Sequence, residues 1–224
     1  NIELEKIPTS SKEESVERRK NLELFLNTGF PNKKKEEWKF TDLNLIISKN
    51  FKTITNNNDF TFDKKINLIR DFEHNHVLLV NGSLVSSNIN FEEHEKVKVK
   101  SLSSLDGFKN PINNNLFCLN KALSLGGYDL EIEENYKCKK PIVIYNYYTS
   151  NLENKIINNS NKIKLNNKSE LILIEYNLNE KSKFIKNTFE KVDISDGAVL
   201  KNIMIQKAKN NGFFYKNIFG TQKY

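Results

Sequence analysis

The spacing of apolar residues changes near residue 75. Upstream, Val16, Leu22, Phe25 and Leu26 recur at helical intervals, and Ser10 and Ser11 stand three residues before Glu13 and Glu14. At that distance a cap hydroxyl and a returning carboxylate satisfy each other's backbone donors. Gly29 and Pro31 then supply a left-handed cap and a residue that cannot continue the ladder. The pattern predicts a helix over 12–27 with those four residues as its apolar face. Beyond a charged loop, Trp38, Phe40, Leu43, Leu45 and Ile46 predict a small satellite core, and the Asn-rich stretch 48–66 reads as a loosely ordered connector.

Downstream, short β-branched runs alternate with turn signals. Val77–Val80 runs into Asn81-Gly82, a tight hairpin dipeptide, and Val97 and Val99 alternate with lysines as in a half-exposed strand. Three apolar–polar–apolar starts follow: Leu130 with Ile132, Ile163 with Leu165, and Val192 with Ile194. The last two lead through Asn166-Asn167-Lys168 and Ser195-Asp196-Gly197 into Leu171–Tyr176 and Val199–Gln206. Self-similarity at about 30 residues is what a solenoid shows when each rung buries its face against its neighbours. A β-sandwich spaces its strands similarly, so the period alone leaves both architectures open.

A chain of 224 residues with 38% hydrophobic residues, 15 Phe and 8 Tyr can bury a core. The Asn and Lys clusters (Asn56–Asn58, Asn113–Asn115, Lys33–Lys35) are therefore read as loops. A formal charge of +7 suggests nucleic acid. The basic residues are spread along the chain among 28 acidic ones, however, and predict a solvated lysine-rich surface without nucleic-acid binding. No apolar run is long enough to span a membrane and the N-terminus does not resemble a signal peptide, so the expected location is the cytoplasm.

Motifs for catalysis are missing from the string. There is no G-x-x-x-x-G-K-[ST] to cradle phosphates, and Gly126-Gly127 lacks dinucleotide-binding spacing and reads as a turn. Neither G-x-S-x-G nor H-E-x-x-H occurs. Cys118 and Cys138 are far apart and are expected to be buried free thiols. His74 and His76 would share one face of a strand and could hold a metal with Glu73 or His94, but the preferred reading is exposed histidines preceding a strand. Glu133-Glu134 and Asp193 with Asp196 are the carboxylate pairs a carbohydrate-active solenoid would use, and both read as solvated turns.

Particular segments resemble a known family. Phe30-Pro31 followed by Glu36-Glu37-Trp38-Lys39-Phe40-Thr41-Asp42-Leu43 is similar to the entry segment of SufD, from the SUF iron–sulfur cluster assembly machinery. Leu79-Val80-Asn81-Gly82 and Phe117-Cys118-Leu119-Asn120-Lys121-Ala122 resemble further family segments, as do Gly126-Gly127 through Leu130-Glu131-Ile132 to Pro141-Ile142. Ile174-Glu175-Tyr176, Thr188 and Gly197-Ala198-Val199-Leu200 look like rungs shared with the paralogue SufB, and the Trp38 segment favours SufD.

The resemblance implies a mainly β protein: a helical N-terminal region over 1–70 and a right-handed parallel β-helix over 71–224, truncated relative to a family about twice as long. It implies a scaffold subunit, with roles in iron acquisition, that pairs with a SufB-like paralogue and a SufC-like ATPase, a homodimer being the other assembly it allows. The iron–sulfur cluster would be handled by the complex and ATP by the ATPase. The family's SufC-contacting helical segment and late β-helix histidine have no counterpart before Tyr224. No catalytic, cofactor-binding or metal-ligating residue is therefore assigned, and the chain is expected not to be an enzyme. The rival functions are a polysaccharide-active or polysaccharide-binding solenoid, which needs aligned acidic or histidine residues on one face, and an RNA-binding module, which needs a contiguous lysine patch.

Overall fold

The first helix, α1 (Lys12–Thr28), begins where Ser11 accepts the Glu14 N–H (3.1 Å) and ends where the Gly29 N–H returns to the Phe25 carbonyl (2.7 Å) with Gly29 at φ +66°. The computed structural model describes residues 11–51, 65–103, 114–180, 182–206 and 212–223, together with 4, 7, 9, 62, 105 and 108. Most of the expected 48–66 connector lies outside them.

The buried face of α1 is Arg18, Asn21, Leu22 and Phe25, whereas Val16 and Leu26 are exposed. Arg18 explains the shift. Its Nη1 donates to the Ala122 and Ser124 carbonyls (3.1 and 2.9 Å) at the end of α3 (Asn115–Leu123), while Glu14 balances its charge. These are the carbonyls a helix end leaves without internal partners, so a buried cation is worth more here than an apolar side chain.

The Trp38 stretch forms a 3-10 turn (Glu36–Trp38) and α2 (Leu43–Asn50), which is capped by Asp42. It makes no satellite core. Trp38, Leu43 and Ile47 pack onto the main helical cluster, and Phe40 stands 88% exposed. Trp38 stacks on Tyr215 (5.7 Å between ring centres) and Phe51 meets Phe213 edge-on, so the N-terminal helices are bolted to a late strand of the β structure.

Among the described residues, ten strands form two five-stranded sheets, ordered β2-β1-β5-β7-β9 and β10-β8-β6-β4-β3. Their ranges are β1 Asn75–Val80, β2 Ser83–Asn88, β3 Val97–Ser101, β4 Tyr128–Ile132, β5 Ile142–Tyr148, β6 Lys155–Leu165, β7 Glu170–Asn179, β8 Phe184–Ile194, β9 Val199–Gln206 and β10 Gly212–Gln222. From β4 onward the chain alternates between the sheets, and every later strand pairs in parallel with the one a turn earlier. This is a β-solenoid. Leu130 stands beside Ile163 and Ile163 beside Val192, just as Ile132, Leu165 and Ile194 line up. The apolar repeat seen in the sequence is the wall of the interior.

The corners repeat too. Asn135, Lys168 and Gly197 all take positive φ, and Asn135 and Lys168 donate to the Asn167 and Asp196 carbonyls of the next turn (2.8 Å each). At the upstream end the solenoid is closed by antiparallel strands. β1 and β2 join through Asn81 (φ 50°) and Gly82 (φ 87°), matching the hairpin signal, and β3 covers β4 with a lysine-bearing edge. The edge strand β10 pairs with β8 alone among the described strands.

Helix α3 lies within the stretch expected to be β-helix and covers the outer face of one sheet. Asn114, read as loop, is its N-cap, accepting from Leu116 and Phe117 N–H. Asn120 Nδ2 donates to the Asn159 and Asn187 carbonyls (2.9 Å each), and Asn187 Nδ2 returns a bond to the Leu116 carbonyl (2.8 Å). The polar stripe of α3 is thus hydrogen-bonded to two adjoining turns. At the corner between β4 and β5, the Glu92 carboxylate collects Asn75 Nδ2, the Tyr136 hydroxyl and the Lys139 and Lys140 N–H groups. Burial alone would push the Glu92 acid up in pKa, but these donors together hold it below the usual glutamate value.

Candidate functional site

Of the residues weighed for chemistry, the structure brings His74 and His76 together. His74 spends both ring nitrogens: Nδ1 lies 3.0 Å from the Phe72 carbonyl and Nε2 lies 2.8 Å from the Tyr145 hydroxyl. The carbonyl needs a proton on Nδ1, so in the neutral ring Nε2 accepts from Tyr145, whose oxygen in turn takes the Ile69 N–H (2.9 Å). His76 packs edge-on to His74, and its pKa is lowered first by burial and then by the neighbouring ring. His94 is exposed, and Glu73 pairs with Lys140 (2.7 Å). Among the described residues, no group of three or more His, Cys, Asp or Glu is placed to hold a metal.

Neither Cys118 nor Cys138 forms a disulfide. Cys118 is buried in α3, while Cys138 is half-buried with its pKa pushed up to about 12, first by burial and then by the Glu92 charge. Glu133 pairs with Lys98, and Asp193 pairs with Lys191 (3.1 Å) and accepts from Thr221. Gly126-Gly127, read as a turn, lies in the irregular link between α3 and β4, where the chain passes very close to β6. A Cβ on Gly127 (φ +138°) would lie 1.7 Å from the Ser160 carbonyl oxygen.

A polar band inside the solenoid was not anticipated from the sequence. One end of the interior is apolar, built from Val77, Leu130, Ile132, Ile144, Ile163, Leu165, Leu173 and their neighbours, and Tyr148, Leu152, Ile157 and Phe184 form a smaller apolar plug. Between the two lie the inward positions Lys186, Thr188 and Glu190 of β8, Asn159 and Asn161 of β6, Glu175 and Asn177 of β7, Asn146 of β5 and Lys216 of β10.

Lys216 is the centre of this band. Its ammonium is in contact with Glu175 Oε1 and lies 3.0 Å from Glu190 Oε1, tying one sheet to the other. Glu190 Oε2 accepts from Asn161 Nδ2 (3.2 Å) and the Tyr128 hydroxyl (3.3 Å). Lys186 Nζ donates to the Tyr148 hydroxyl (2.5 Å), which donates onward to Asn177 Oδ1 (3.0 Å).

Burial dominates the electrostatics. It raises the Glu190 pKa against the opposing pull of Lys216, and it lowers that of Lys186 to about 8, with Glu175 opposing and Lys216 reinforcing the shift. Burial would lower Lys216 as well, but Glu190 and Glu175 outweigh it and raise that pKa. Two carboxylates and two amines thus compensate one another inside the coil. Each of these four groups is spent on another protein group.

The solvated face of the α3-bearing sheet is ordered as well. Lys98, Glu131, Lys164, Asp193 and Thr221 stand in one row across five strands, alternating in sign down to the neutral threonine, and Lys164 bonds Glu131 (2.7 Å). The acids of this row are therefore neutralised in place, whereas the next row sets Lys162 beside Lys191.

A parallel β-solenoid with antiparallel end strands, a covering helix and an N-terminal helical region fastened to it by aromatic contacts defines the structural class of the protein. The chain belongs to the SufB/SufD family. Residues 6–117, half of its length, match the family described as "SufBD protein N-terminal region", which places it among the proteins of SUF iron–sulfur cluster assembly. The match contains the Trp38 segment and ends within α3. No curated protein matches the chain.

Proposed function

We propose that the chain is a SufD-type scaffold subunit: it pairs with a SufB-like paralogue and a SufC-like ATPase, works in the cytoplasm and has no catalytic centre of its own. Membership of the family supports the SUF role, and the Trp38 segment favours SufD over SufB. Among the described residues no helix is long and apolar enough to cross a membrane. The observation that carries the structural role is the parallel register of the coils, Ile163 beside Val192 and Leu165 beside Ile194, which makes a stiff flank. In this reading the iron–sulfur cluster is cargo of the assembled complex and ATP-driven motion enters through the ATPase subunit. A carbohydrate-active solenoid is disfavoured because Glu131 and Asp193 are each bonded to a lysine, and RNA binding because the outer row alternates in sign.

Co-expression of the tagged chain with SufB-like and SufC-like subunits tests the proposal. Recovery of all three in one size-exclusion peak is the expected result. Recovery of the chain without either subunit overturns the scaffold role.

A further inference from the structure

We draw no further inference here: the strongest candidate, the uncovered rim of β9 and β10 with Val199, Ile203, Met204, Ile205 and Ile218 exposed, carries nothing because nothing in the structure shows what covers it.

Discussion

Replacing Lys216 with methionine keeps a stem of similar length and deletes only the ammonium. The side chains of Glu175 and Glu190 are 5% and 0% exposed, so water does not take over the lost contacts. Removing one partner from a buried ion pair costs about 3–5 kcal/mol, because an uncompensated charge remains in the interior. Two carboxylates share Lys216, which places the expected loss at pH 7 toward the top of that range.

The variant has one route of relief, protonation of Glu190, whose pKa burial already raises. A carboxyl with a raised folded pKa stabilises the fold fully below its unfolded pKa and loses that contribution as pH rises through the folded value. The K216M deficit therefore shrinks as pH falls toward the ordinary glutamate range. Urea unfolding followed by circular dichroism at several pH values measures it. Adding E175Q and E190Q to K216M should return most of the lost stability. A K216M protein within about 1 kcal/mol of the parent at pH 7, or a triple variant no better than K216M, would refute the reasoning, since either means that the clasp is hydrated or redundant.

Lys186 acts in the opposite sense. With a folded pKa of about 8 against 10.5 when free, the native state binds fewer protons than the unfolded chain, so stability climbs as pH rises between those values. K186M should remove that climb and gain about 3 kcal/mol at pH 7, less the lost bond to Tyr148, as urea unfolding between pH 7 and 10.5 would show. Trp38 is the sole tryptophan and stacks on Tyr215. W38A should cost about 2–3 kcal/mol, and Y215A should shift Trp38 fluorescence to the red as the ring meets water. An unchanged spectrum would show that the helical region is not fastened there.

The coils were legible because the side-chain period of two holds wherever one face of a strand is buried and the other wet. Leu130, Ile163 and Val192 stand in register for that reason, and the turns at Lys168 and Gly197 carried their own residue signals. The rule fails where a sheet is covered on both sides. Ile156–Asn161 is buried throughout, since α3 lies outside and the interior lies within, so its Asn-Asn-Ser-Asn run looks like loop composition while forming strand.

Charged residues at inward positions gave no warning either. Glu175, Glu190 and Lys216 are tolerable only together, and their mutual compensation depends on register across turns that are distant in sequence. The face of α1 was misjudged on similar grounds, because the carbonyls that make Arg18 a buried residue belong to a helix about a hundred positions away. The candidate site was thus almost unreadable, while the family signature around Trp38 was plain, although its ring proves to face Tyr215.

Two engineered disulfides measure the parallel coils directly. Lys162 lies opposite Lys191 and Lys164 opposite Asp193 on the solvated face of β6 and β8. Neighbouring strands run about 4.8 Å apart, inside the span a disulfide bridges. Mild oxidation of K162C/K191C and, separately, of K164C/D193C should close an intramolecular bond in both proteins, read as lost thiols by mass spectrometry with the fold intact. A bridge in one pair but not the other would mean antiparallel strands, and none in either would place the two segments in unrelated sheets; each contradicts a solenoid.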